Sequence, residues 1–140
     1  MPLRTLVSIA AALLLLVSAP ACSHVANAAA PETGIQLNGS APALQLEHDL
    51  PLGLVFNDHM GVALVAELPS ALDTENAGTV DGYRAGDVAY WAPEHSIIVF
   101  LSDGTEVPRE GLVMVGHVAV GLNRLADCVQ NCPVRLDDSD

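Results

Sequence analysis

Gly86-Asp87-Val88-Ala89-Tyr90-Trp91-Ala92-Pro93-Glu94-His95-Ser96-Ile97-Ile98-Val99-Phe100-Leu101 is the stretch from which the rest of the chain is read. Two apolar runs, rich in β-branched and aromatic residues, flank a short polar turn that contains Pro93. Strand formers bounded by turn formers on this scale predict a β-hairpin. The stretch holds the only Trp of the chain, one of its two Tyr and one of its two Phe. Aromatic side chains carry the largest apolar surface per residue, so this hairpin belongs at the core.

Similar signals continue on either side. Leu52 to Phe56 and Val62 to Glu67 read as strands, and Asn57-Asp58-His59-Met60-Gly61 between them supplies turn residues. Upstream, Ile35-Gln36-Leu37 within Gly34 to Gly39 is a short alternating strand. Ser40 then caps a helix over Ala43 to His48, with Pro42 in its first turn and Pro51 ending it. Pro69 to Gly86 is mostly polar or small and reads as a long surface connection. Asp103-Gly104 marks a turn and Pro108-Arg109-Glu110-Gly111 a loop. Leu112 to Ala119 reads as the last strand, with Gly116 marking a bulge or a close backbone approach. Gly121 to Ala126 predicts a short helix with Leu122 and Leu125 facing inward, and the acidic tail from Asp137 is expected to fray. Short strands at this spacing, with little helix, predict a mainly β fold, a barrel or a sandwich. No internal repeat or glycine-rich phosphate loop interrupts the pattern.

Composition narrows the function classes. The chain has 140 residues, 51% of them hydrophobic, enough for one packed domain. It carries 17 acidic residues against five arginines and no lysine. Beyond Arg4 the balance is four arginines against 17 acids, a net charge of −13. Such a field repels phosphate backbones, so no nucleic-acid partner is expected.

The first 22 residues read as an export signal. Arg4 and the amino terminus supply positive charge, Leu6 to Val17 is apolar, and Ser18, Ala19 and Ala21 are small. The apolar run is shorter than the ~20 residues a membrane-spanning helix needs. Ala19-Pro20-Ala21-Cys22 resembles a bacterial lipobox, which implies lipidation at Cys22; Ala26-Asn27-Ala28 offers an ordinary cleavage site instead. The expected division is a signal peptide over 1–21, a flexible tether over 22–33, a folded domain over 34–136 and an acidic tail over 137–140. Cys128 and Cys132 are expected to pair as a structural disulfide, since a redox pair uses a two-residue spacer and no second cysteine pair completes a zinc site.

The chain from about Leu50 to Asp127 resembles the small bacterial cyclophilin-like fold proteins. Leu50-Pro51-Leu52-Gly53-Leu54 is similar to a Leu-Pro-Leu-Thr-Leu block of that family. Gly86 to Pro93 is similar to its Gly-Asp-Ile-Tyr-Tyr-Tyr-Pro-Pro block, and Ile97 to Phe100 to its Leu-Ala-Ile-Phe continuation. Gly111 to Val118 is similar to Gly-Leu-Ile-Pro-Leu-Gly-Arg-Ile. The family's Trp-Gly-Asn is replaced here by Glu94-His95-Ser96, its Arg by His117, and the N-terminal hairpin is shortened to Gly34 to Ala43. The resemblance implies a compact cyclophilin-like β-barrel with one or two short helices, in a family that generally lacks an established activity. Prolyl isomerases of the wider cyclophilin group use a catalytic arginine with aromatic and glutamine neighbours. Arg84 sits in a different motif, Gly82-Tyr83-Arg84-Ala85-Gly86, so isomerase activity does not carry over.

Candidate sites follow from residue chemistry. His24, His48, His59, His95 and His117 show neither His-x3-His nor His-Glu-x-x-His spacing, so no metal and no other cofactor are expected. Ser70, Ser96 and Ser102 stand in no nucleophile motif, and Asp81 and Asp87 both flank turns. The expected functional surface is the barrel mouth or an outer groove that uses Tyr83, Tyr90, Trp91, His95, Phe100 and Arg109. The turn Glu94-His95-Ser96, where the chain leaves the family pattern, is the place to look first. The expected role is an exported, membrane-tethered, non-enzymatic module for a small-molecule or peptide ligand. The alternatives are an isomerase with a rearranged site, or a small metal-binding or hydrolytic enzyme.

Overall fold

In a computed structural model, which describes residues 32–140, the Gly86–Leu101 hairpin forms as the sequence predicts. Strands β4 (Asp87–Trp91) and β5 (Ser96–Phe100) pair antiparallel from Val88↔Val99 to Trp91↔Ser96. A 3-10 turn over Ala92–Glu94 joins them, with Pro93 in its first positions, where a missing N–H costs nothing. His95 closes the turn in the left-handed region at φ 49°. Val88, Tyr90, Ile97 and Val99 face one side of the pair and join one apolar cluster. Ala89, Trp91, Ile98 and Phe100 face the other side and join a second. Every residue of β5 is buried, so both faces of the hairpin are covered. That explains why Ile97-Ile98-Val99-Phe100 is continuously apolar instead of alternating.

Five further strands complete the sheet. They are β1 (Glu32–Leu37), β2 (Leu52–His59), β3 (Ala63–Glu67), β6 (Val113–Val120) and β7 (Cys132–Asp138). Their order is β1-β6-β4-β5-β3-β2-β7, closed into a barrel by the β7–β1 pair. All pairs are antiparallel except β1 with β7. The interior is filled by side chains such as Ile35, Phe56, Leu64, Tyr90, Val115 and Leu136, each at most 1% exposed. Burying one such side chain stabilises a fold by about 1.5–3 kcal/mol.

Gly116 meets both readings offered for it. Opposite β4 the register shifts between Val88 and Ala89, so β6 holds one extra residue there. A Cβ on Gly116 would also run into the backbone carbonyl of Gln36 on β1. Only glycine lets β1 and β6 approach this closely.

The two helices plug the barrel. Helix α1 (Ala41–Asp49) is capped by the Ser40 hydroxyl, which accepts from the Ala43 N–H at 3.4 Å. It buries Pro42, Ala43 and Leu46 at the end where β1 finishes. Helix α2 (Leu122–Ala126) follows β6 at the opposite end and sends Leu125 into the same interior cluster, with partly buried Leu122 packed against it.

Three expectations need correction. The last strand is not Leu112 to Ala119: β7 comes after it, with Val134 and Leu136 buried inside the barrel. It runs through Asp138, and the Ser139 N–H donates to the Ile35 carbonyl at 3.1 Å, so the acidic end is paired and not frayed. Strand β1 likewise begins at Glu32, two residues inside the stretch read as tether. The signal peptide, Cys22 and the rest of the tether lie outside the described residues.

Candidate binding groove

The second apolar cluster lies on the outer face of the barrel, and the groove is built on it. Strands β3, β4 and β5 present Val65, Trp91, Ile98 and Phe100 outward. Two irregular segments, residues 69–86 and 101–112, fold over that face. Pro69 to Gly86 is anchored at one end by Leu72, whose N–H donates to the Tyr90 hydroxyl at 3.0 Å, and by Gln45, which bonds Ala71 and Asp73. Isolated bridges then join Val80 to Leu112 and Tyr83 to Gly104 across the two segments. Between them and the sheet runs an open groove of about 990 Å³.

Tyr83 forms one wall. Its backbone exchanges two hydrogen bonds with Gly104, at 2.8 and 3.0 Å, and its ring stacks on Phe100 with centroids 3.7 Å apart and planes 11° from parallel. The Tyr83 ring occupies the space that a Cβ on Gly104 would take. Gly104, read from sequence only as a turn residue, therefore sets the position of the aromatic wall.

The rim is mostly acidic. Asp58, Glu67, Glu94 and Glu106 line the groove together with His59, and no arginine does. The Asp58 carboxylate accepts from the Gly61 N–H at 2.9 Å, which holds it at the tip of the β2–β3 hairpin. Glu67 pairs with Ser96, and Glu94 precedes that serine by two residues, so these two acids share the opposite end. From Leu64, the partner of Asp58, to Glu67 is three residues of β3, or about 10 Å at ~3.3 Å per residue.

The predicted site residues separate into two groups. Tyr83, Trp91 and Phe100 come together in the groove. Tyr90 does not: alternation along β4 points it into the barrel, where it is 1% exposed. His95 and Arg109 are exposed and lie outside the lining. Arg109 makes no ion pair with Glu106 or Glu110; the ion pairs among the described residues are His48–Asp49 and Arg135–Asp137. The departure Glu94-His95-Ser96 contributes through Glu94 and Ser96 instead of the histidine. Sequence reasoning passed over Glu67, Asp58 and Glu106, because a carboxylate in an acidic chain gives no signal until folding places it beside apolar surface.

Ser96 is buried, and its hydroxyl donates to the Glu94 carbonyl at 3.1 Å. Among the described residues no three His, Cys, Asp or Glu side chains converge as metal ligands. Trp91 keeps its indole Nε1–H buried without a hydrogen-bond partner, an unmet donor beside the groove floor. The barrel ends offer less: both are filled by helices, and a smaller cavity of about 390 Å³ lies by Leu125 and the Cys128–Cys132 disulfide.

Comparison with known families settles the origin of this architecture. The sequence model of the cyclophilin-like family matches residues 28–137, well over half of the 140. The chain belongs to the cyclophilin-like family. A search of curated proteins finds no match. The barrel is thus a cyclophilin-like barrel, as the three sequence blocks imply, and each block has a definite place in it. Leu50 to Leu54 leads into β2, Gly86 to Phe100 is the central hairpin, and Gly111 to Val118 enters the bulged strand β6. In this cyclophilin-like protein Arg84 is exposed and lies outside the groove lining.

Proposed function

We propose that this cyclophilin-like protein is an exported binding module, held at the outer face of a bacterial membrane through Cys22, that takes its ligand in the outer groove without transforming it. The observation that carries the reading is the groove itself. A roughly 990 Å³ space with an aromatic and aliphatic floor is within the usual size range of ligand sites. Its polar groups include four carboxylates, Asn57, His59 and the Tyr83 phenol, and its serine hydroxyl donates to a backbone carbonyl. The packed interior and the helical plugs leave this outer face as the place for recognition.

The test uses a neutral apolar dye, Nile red, with the protein lacking its first 21 residues. Saturable binding is expected at one site, with a change in emission of the single Trp91. Val65→Asp, which puts a charge on the floor, is expected to abolish it while the far-ultraviolet circular dichroism stays unchanged. Equal binding by a folded Val65→Asp variant overturns the groove as the site. Acceleration of prolyl isomerisation in a model peptide overturns the non-enzymatic reading. For the anchor, Cys22→Ala should move the protein from the membrane to the soluble fraction; unchanged fractionation rules that anchor out.

A further inference from the structure

We infer that the groove selects an extended peptide whose basic side chains flank a short apolar stretch. The inference rests on the proposal that the outer groove is the binding site, and it specifies the occupant. Three observations combine. The floor is apolar and aromatic: half-buried Val65 and Trp91 face the groove over buried Ile98 and Phe100, and they fit aliphatic or aromatic side chains. Carboxylates stand at its two ends, Asp58 beside His59 at one and Glu67 with Glu94 at the other, with Glu106 on the covering segment. No lysine or arginine lines the groove to offset them, and the described residues carry only four arginines against 17 acids.

These features favour one class of ligand. An acidic or phosphorylated occupant would face four carboxylates with no lysine or arginine in the lining. A purely apolar occupant would leave the rim unused and would cover charges, at a desolvation cost. A basic group at each end pairs with the rim while the segment between covers the floor. The ends are about 10 Å apart, which an extended chain spans in three to four residues. Glu67 and Glu94 are exposed, so each pair acts in water, and salt weakens the attraction. The open form of the groove suits a chain lying along it, in contrast to the enclosed site that a compact amine requires.

The probe is the blocked pentapeptide Arg-Val-Phe-Val-Arg, titrated into the protein lacking its first 21 residues and followed by Trp91 emission at low and high salt. Its counterparts have Gln or Glu in place of both arginines, and spermidine serves as a peptide-free polycation. Saturable binding is expected for the arginine peptide, about tenfold weaker for the glutamine peptide and undetectable for the glutamate peptide. Glu67→Gln combined with Glu94→Gln should weaken the arginine peptide about threefold to tenfold and flatten its salt dependence. The far-ultraviolet circular dichroism and the urea unfolding midpoint of that variant should match those of the unaltered protein, which shows that it is folded. Equal affinity for the arginine and glutamine peptides overturns the charge selection and leaves the groove as a binding site. Spermidine binding as tightly as the arginine peptide overturns the peptide and points to a polyamine. Failure of Nile red and every peptide together removes the underlying reading as well.

Discussion

Tyr90 and Trp91 are neighbours in sequence and opposites in role. Both are strand aromatics in the same hairpin, yet the alternation of β4 buries Tyr90 in the barrel and sets Trp91 beside the groove. The Tyr90 hydroxyl is not idle there. It accepts the Leu72 N–H at 3.0 Å, linking the interior to the segment that covers the outer face. Tyr90→Phe leaves that buried N–H without a partner, at a cost of about 1–3 kcal/mol. Urea denaturation is expected to show a loss in this range with an unchanged slope; a loss below about 0.5 kcal/mol would mean that water replaces the hydroxyl. Sequence showed that both residues belong to a strand. It did not show which face each takes, because an uninterrupted apolar run carries no alternation from which to read one.

Among the elements, β7 and the disulfide loop before it deserve comparison with β5. Strand β5 was legible because four consecutive β-forming side chains are buried on both faces. Strand β7 was not, because Cys-Pro-Val-Arg-Leu-Asp-Asp buries only Val134 and Leu136 and keeps its other positions polar or solvent-facing. The disulfide between Cys128 and Cys132, expected from spacing and present in the structure, closes the loop leading into it. That loop also braces the groove. The Val129 carbonyl accepts from the Asp58 N–H at 2.8 Å, and the Asn131 N–H donates to the Asn57 side chain at 2.9 Å. Chain-entropy arguments put closure of so short a loop at about 2 kcal/mol. Cys128→Ser with Cys132→Ser is therefore expected to lower stability by about that amount and to speed hydrogen exchange at the Asp58 amide. Unchanged exchange at Asp58 would show that β2 holds the groove wall without the loop.

At the scale of the whole molecule, closure depends on the end of the chain. Strand β7 pairs with β2 on one side and β1 on the other, joining strands more than a dozen residues apart in sequence. Ending the chain after Ala126 strips both ladders and exposes the cavity that Val134 and Leu136 filled. The lost burial alone is about 3–6 kcal/mol, comparable with the ~5–15 kcal/mol total stability of an ordinary domain. The truncated protein is expected to lose its cooperative unfolding transition in circular dichroism. A sharp transition near that of the full chain would show that six strands and two plugs suffice.

Local chemistry and short-range periodicity were enough to establish the mainly β class, the central hairpin, the Ser40-capped helix, the Gly116 irregularity and the paired cysteines. Each of these depends on residues close together in the chain, where backbone preference and side-chain type act directly. Closure of the barrel, the inward turn of Tyr90, the seat of Tyr83 over Gly104 and the gathering of four carboxylates around an apolar floor were decided only in three dimensions. They depend on which distant segments meet, and that is settled by the joint burial of both faces of one sheet. No local pattern encodes it.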